Sequence, residues 1–183
     1  MIKFFCKPDK MVKEMKKYSY LMSLFYLLLT AIILFFTAKV AGLTWLNSLY
    51  VLLGVIVTII LGAFSLNIIM WVWGKQNYML SLNVLVGPWF IMASGAFIMS
   101  VLGLIPSAGP ILAGLVTMIV MPFAIALQLR LVSEAFKLDM LTTVVILFIL
   151  YIGAGAAIMS IVSGLALQLV SALGFGLLPI AFP

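Results

Sequence analysis

The side chains that most often carry catalysis are scarce in this sequence. It contains no histidine, one cysteine (Cys6) and four acids, Asp9, Glu14, Glu134 and Asp139. No two of these acids are placed within an apolar run, where a pair could perform general acid–base catalysis. A single cysteine supplies neither an intrachain disulfide nor a multi-cysteine metal site. The catalytic motifs H-E-x-x-H, G-x-S-x-G and G-x-x-x-x-G-K-[ST] are absent. The sequence therefore predicts a protein that is not an enzyme and holds no cofactor.

Three amide side chains form the first candidate site. Asn67, Asn83 and Gln128 lie on three different apolar segments, each a few residues from the end that we place in the cytoplasm. We predict that they face one another, either as hydrogen-bonded contacts between helices, worth about 0.6 kcal/mol each on average, or as the lining of a cytoplasm-facing cavity. Trp89 and Tyr151 lie deeper than an interfacial belt, so we expect both to be buried between helices with their polar atoms paired.

A charged pair near residue 130 forms the second candidate site. About twenty helical residues cross the hydrocarbon core, and counting from Pro110 places Arg130 at the inner interface. Ionisable groups there often mark a contact with a substrate or a partner. Alternatively, Arg130 is an interfacial anchor that forms an ion pair with Glu134 at position i+4.

The composition indicates which kind of secondary structure holds these residues in place. The chain has 183 residues, of which 67% are hydrophobic and 8% are charged, whereas about a quarter of the residues of a soluble domain are charged. Long apolar runs are typical of membrane spans, and such spans are helices because lipid offers no hydrogen-bond partner to a free backbone group. The sequence predicts an all-α, polytopic transmembrane helical bundle.

We expect a single transmembrane domain over residues 19–183, with about five spans. The predicted spans cover residues 19–40, 45–73, 79–103, 110–136 and 140–163. The end of the fifth span is ambiguous, because the 38 residues of Leu141–Leu178 carry no charge. Residues 164–183 then form a terminal apolar segment, which is either interfacial or re-entrant, or a short sixth span.

Residues 1–18 form a basic, amphipathic segment ahead of the first span. It holds six of the ten basic residues, and we expect it to bind anionic lipid headgroups, not nucleic acid, at about 1 kcal/mol per lysine. It is either an interfacial helix or a solvated tail whose lysines only set the topology. The lysines closest to the first span are Lys10, Lys13, Lys16 and Lys17.

The distribution of basic residues predicts the orientation. With the N-terminus in the cytoplasm, the inner side receives the tail lysines, Lys75, Arg130 and Lys137, and the outer side receives only Lys39. Such an asymmetry favours a cytoplasmic N-terminus. Runs of small residues, as at residues 93–96 and 153–157, predict close helix packing, either within the chain or in a homo-oligomer.

Three stretches of the sequence are informative together: the opening KPDKMVKEMKK, the stretch WVWGKQNYMLSLNVLVGPWF, and LIPSAGPILAGLV followed by LVSEAFKLDMLTTVVILF. They resemble the Yip domain family of multi-pass membrane proteins, named for Ypt/Rab-interacting proteins, and in particular its prokaryotic branch. The resemblance covers most of the chain and implies five spans with a cytoplasmic N-terminus. Eukaryotic relatives are membrane-traffic factors that associate with small GTPases and with one another. Their D-L-Y-G-P motif is echoed only by residues 84–88, VLVGP, without the acid and the tyrosine.

The residues and the resemblance together predict a non-enzymatic membrane scaffold or interaction protein, with a protein partner or a second copy of the chain. The alternative is a small transporter or a substrate-binding membrane subunit with a cytoplasm-facing cavity. For a prokaryotic source the membrane is the plasma membrane.

Overall fold

The computed structural model describes residues 20–154, and this part of the chain is helical without any strand. The elements are α1 (Tyr20–Val40), α2 (Trp45–Trp71), α3 (Tyr78–Leu102), α4 (Gly109–Phe136), α5 (Met140–Phe148) and a π-helical segment (Ile149–Ala154). The predicted all-α class is confirmed. Helices α1 to α4 are each long and apolar enough to cross a membrane, so the protein is a multi-pass integral membrane protein.

Three helices begin at a residue whose side chain caps the helix. Thr44, Asn77 and Asp139 precede α2, α3 and α5 and have extended backbones. In each case a side-chain oxygen accepts a hydrogen bond from the backbone N–H three residues later, at 3.3, 3.0 and 2.9 Å. Because the first N–H groups of a helix lack partners within it, these polar residues fix where the helices start.

Residues with a left-handed backbone conformation lie in the short turns between helices. Gly42 and Gly74 have φ angles of 86° and 63° in the turns after α1 and α2, a conformation that costs glycine little. Lys137 ends α4 with a φ of 50°. The turn that follows it is short enough for α5 to begin three residues later.

Helix α3 is the centre of the bundle. It packs against α1, α2 and α4, while α1 also packs on α2, α5 packs on α4, and the π-helical segment reaches α2. In the most apolar window of α3 33% of the residues are buried, compared with 11% in α4. The polar side chains of α3 therefore face protein on several sides.

The bundle is packed unevenly along its length. We call the basic end the end that holds the α2–α3 and α4–α5 turns, with Lys75 and Lys137, and the opposite end the one that holds Lys39. In α4 the buried apolar residues lie from Ala124 onward, toward the basic end, whereas Met118 in the other half is 76% exposed. In a membrane these exposed apolar side chains face lipid.

Several predictions fall on residues that the structure does not describe. These are the basic segment of residues 1–18 with Lys10, Lys13, Lys16 and Lys17, the last part of the fifth span, and the terminal apolar segment of residues 164–183. Pro122 lies inside α4, which continues through it as one helix.

Candidate functional site

Asn83 links α3 to α1. Its side chain is 5% exposed, and its Oδ1 accepts a hydrogen bond from the hydroxyl of Ser23, which is 1% exposed. The same hydroxyl lies 3.9 Å from the sulfur of Met79. In a membrane interior such a pair satisfies two polar groups that lipid would leave without partners. The partner of Asn83 on α1 was not predicted, although Ser23 is one of the few polar residues of that span.

Gln128 links α4 to the π-helical segment. The hydroxyl of Tyr151 donates a hydrogen bond to its Oε1 at 2.7 Å, and Gln128 itself is 3% exposed. The predicted pairing of the Tyr151 hydroxyl is confirmed, but its predicted burial is wrong, since 46% of the residue is exposed. The reason is that Tyr151 turns its hydroxyl toward α4 from the surface of the bundle. Trp89 is partly buried against the apolar core.

Some buried polar atoms have no hydrogen-bond partner within the described part of the chain. They are Asn67 Oδ1, Ser81 Oγ, Gln128 Nε2 and the Tyr50 hydroxyl. A buried polar atom without a partner costs about 1–3 kcal/mol. Such positions commonly hold an ordered water, provided that the site has room for one.

Contacts between neighbouring helices show how deep each amide lies. A methyl group at Gly62 would lie 3.5 Å from Leu85, and one at Gly95 would meet Val120. Adjacent helices run antiparallel and rise equally per residue, so two residues at the same depth have numbers whose sum is constant. That sum is about 147 for α2 and α3 and about 215 for α3 and α4. Asn67 is then level with Leu80 and Gln128 with Gly87, on either side of Asn83.

The three amides therefore occupy three depths and not one layer. Seven residues of α3 separate the level of Asn67 from that of Gln128, and at 1.5 Å per residue this is about 10 Å. Asn83 lies between them, bonded to α1. Polar groups thus follow one another along the basic half of the bundle.

At the basic end, one hydrogen bond joins the two turns. The ammonium group of Lys75, in the α2–α3 turn, donates to the backbone carbonyl of Lys137, in the α4–α5 turn, at 3.0 Å. Within the second turn, the hydroxyl of Ser133 donates to the carbonyl of Leu138 at 2.7 Å. The Lys75 bond therefore brings the two turns, which are distant in sequence, together on one surface.

Asp139 is tied to the start of α5. Its carboxylate accepts from the Thr142 hydroxyl at 2.6 Å and from the Thr142 backbone N–H at 2.9 Å. The hydroxyl bond first, and then the N–H bond, hold the pKa of Asp139 below its usual value. Both bonds stabilise the charged carboxylate, so Asp139 acts as a helix cap.

Arg130 and Glu134 are both exposed on α4. Within residues 20–154 no ion pair joins them, and the predicted pair at i+4 is therefore wrong. A physical reason lies in the order of the two residues, because a helix favours the acid on the N-terminal side of the base. Arg130 precedes Glu134, which is the less favourable order.

The opposite end carries a cation–aromatic contact that the sequence did not reveal. The Lys39 ammonium lies 4.6 Å from the centre of the Trp45 ring and donates to the carbonyl of Leu43 at 3.0 Å. Trp45 is 70% exposed and also contacts Phe35. This arrangement is typical of an interfacial anchor, in which an aromatic ring and a lysine lie at headgroup level.

Comparison with known proteins gives no assignment: no family profile, no curated protein and no solved structure matches the chain. Among residues 20–154, no group of three or more His, Cys, Asp or Glu side chains could hold a metal ion. The described site consists of buried hydrogen bonds between helices and a charged surface at the basic end.

Proposed function

We propose that this protein is a non-enzymatic membrane scaffold or interaction protein of the Yip domain type. The observation that carries the proposal is the hydrogen bond from Lys75 to the carbonyl of Lys137, which joins the two turns of the basic end into one surface. A preformed surface binds a partner without first losing the entropy of ordering its loops. The proposed occupant is a protein partner or a second copy of the chain.

The lysine asymmetry supports a cytoplasmic position for this surface. A prokaryotic source would make the membrane the plasma membrane. With that orientation the basic segment of residues 1–18 would be cytoplasmic as well, where its lysines bind anionic headgroups.

Residues 84–88, which partly resemble the D-L-Y-G-P motif of the eukaryotic relatives, do not support this proposal. Val84, Leu85 and Val86 are at most 3% exposed and lie inside α3. Side chains packed in the core of the bundle are not available to a cytoplasmic protein. A small GTPase, if one is the partner, would bind at the turns of the basic end instead.

The test is cross-linking in cells at native expression, followed by mild detergent extraction and mass spectrometry of the attached proteins. We expect one reproducible partner, or the chain itself, to be recovered with the wild-type protein. Lys75→Met should reduce the recovery several-fold, because it removes both the charge and the bond to the α4–α5 turn. Lys39→Met, at the opposite end, is the matched control and should recover the partner normally. Recovery of the chain alone and monomeric would overturn the proposal.

The buried polar atoms without partners favour one second candidate, a small transporter or substrate-binding membrane subunit. Asn67 Oδ1, Ser81 Oγ and Gln128 Nε2 lie along the basic half of the bundle, where water or a polar solute could supply the missing hydrogen bonds. The test is labelling of cysteines at positions 67 and 81, in a chain with Cys6→Ser, by a small water-soluble thiol reagent. Labelling at both positions would support this candidate, and protection of both would exclude a wet cavity.

A further inference from the structure

One face of α4 is exposed along most of the helix and changes from apolar to charged toward the basic end. Its residues recur every three or four positions and all are exposed: Ile119, Phe123, Ala126, Arg130, Glu134 and Lys137. We call this set the α4 stripe. Side chains at such spacing lie on one side of a helix.

The α4 stripe has the polarity profile of a phospholipid. Ile119 and Phe123 are 70% and 45% exposed and lie where acyl chains surround the bundle. Arg130 follows about one bilayer core, or twenty residues, after the start of α4, which places its guanidinium at headgroup level. Ala126, between Phe123 and Arg130, is small and leaves space beside the helix for an acyl chain.

The charges of the α4 stripe are not neutralised within the described part of the chain. Arg130 and Glu134 form no ion pair there. The carboxylate of Asp139 is occupied by Thr142, so it does not serve Arg130 either. An unpaired guanidinium and an unpaired carboxylate, one helical turn apart at headgroup level, present a positive and a negative site to the surrounding lipid.

We propose that the α4 stripe binds a phospholipid whose headgroup carries both a phosphate and a primary ammonium. The guanidinium of Arg130 binds the phosphate, for which its planar set of donors is well suited. The carboxylate of Glu134 accepts hydrogen bonds from the ammonium. A headgroup without an ammonium gives the Glu134 carboxylate no donor, and a trimethylated ammonium has no N–H to donate. This binding site goes beyond the proposed scaffold role and does not depend on a protein partner.

The experiment is native mass spectrometry of the full-length, delipidated protein in mild detergent. The protein is given an equal mixture of three phospholipids with identical acyl chains and ethanolamine, choline or glycerol headgroups. We expect the ethanolamine lipid to be retained about tenfold over the other two, the order of effect that charge-assisted hydrogen bonds produce. Glu134→Gln should remove this preference, and Arg130→Gln should reduce retention of all three lipids.

Two further variants make the result specific to the site. Arg130→Lys keeps the charge but loses the paired donors, and it should retain the ethanolamine lipid at an intermediate level. Lys39→Gln changes a cation at the opposite end and should leave the preference unchanged. Equal retention of the three lipids, preference for the glycerol headgroup, or a Glu134→Gln variant that keeps the ethanolamine preference would each overturn the proposal. If Arg130→Gln fails to fold, Arg130→Lys and Glu134→Gln decide the question.

Discussion

At the scale of single residues, the buried amides are satisfied by neighbouring helices only in part. Gln128 accepts one hydrogen bond from Tyr151, while its Nε2 has no partner in the described part of the chain. Asn83 is bonded to Ser23 of α1. Because lipid cannot replace a lost partner, the bonds that do exist should matter for stability.

The first prediction concerns the bond between Tyr151 and Gln128. Tyr151→Phe should lower the free energy of unfolding by about 1 kcal/mol, because Gln128 is left buried without any partner. Adding Gln128→Met should recover most of this loss, since replacing both polar partners by apolar groups is nearly neutral. The measurement is reversible unfolding in mixed micelles. A double variant as unstable as the sum of the single changes would contradict this reading.

The second prediction concerns Asp139 and pH. Its pKa is lowered in the folded protein, so its contribution is present above the unfolded pKa of about 4 and is lost as the pH falls through the folded value. Thermal unfolding in detergent should therefore show a lower midpoint at pH 3 than at pH 7. Asp139→Asn, which can still cap α5, should reduce this pH dependence. Asp139→Ala should also lower the midpoint at pH 7. An unchanged pH dependence in Asp139→Asn would refute the assignment.

At the scale of helices, α3 and α4 pack closely around Gly95. A methyl group built on Gly95 would come within 2.6 Å of Val120. Nearby, the hydroxyl of Thr117 donates to the sulfur of Met99 at 2.7 Å. The small residues around Gly95 therefore allow two helices of the same chain to approach, which favours intramolecular packing over a homo-oligomer contact at this position.

The third prediction compares two helical glycines. Gly95→Ala should destabilise the protein by about 1–3 kcal/mol, the usual cost of overpacking a close contact. Gly114→Ala is the matched control, because nothing lies within 4 Å of a methyl group there. That variant should be neutral, or more stable by up to about 1 kcal/mol, from helix propensity alone. Unfolding of both variants in the same micelles gives the comparison, and equal effects would show that the α3–α4 contact is not tight.

At the scale of the whole molecule, the two ends of the bundle differ in chemistry. The basic end holds Lys75 and Lys137 in turns that are bonded to each other. The opposite end holds Lys39 against Trp45. The fold brings the α2–α3 and α4–α5 turns to one end of the bundle, so Lys75 and Lys137 lie on the same side of the membrane and Lys39 lies on the other.

The fourth prediction is the orientation itself. In a chain with Cys6→Ser, single cysteines at Gln76 and Lys137 should react with an impermeant thiol reagent only in inside-out vesicles. A cysteine at Ser107, in the α3–α4 turn, should react only in right-side-out vesicles. This follows from the excess of lysine and arginine on the inner side. The reverse pattern would place the basic end outside and would remove the cytoplasmic surface on which the scaffold proposal depends.

The sequence predicted the helical class and many of the helix starts, but not the pairing of side chains between helices. Apolar runs reveal the spans because a chain that crosses a bilayer has few alternatives to a helix. Thr44, Asn77 and Asp139 mark helix starts because their residue types are favoured as N-caps. The choice of Ser23 as the partner of Asn83 depends on α1 lying beside α3, which hydropathy does not encode. The Arg130–Glu134 pair was predicted from the i+4 spacing alone. That prediction did not take into account that the base precedes the acid along the helix.

The central position of α3 has a consequence for how the chain enters the membrane during synthesis. Among the most apolar stretches of the four long helices, that of α3 has the lowest mean hydropathy, and α3 carries Asn83 and Pro88. Helices α1 and α2 precede α3 in the chain, so Ser23 of α1 is synthesised before its partner Asn83. We therefore expect α3, with its buried polar residue, to insert against neighbours that precede it in the chain. The order of the helices along the chain is in this way also an order of assembly.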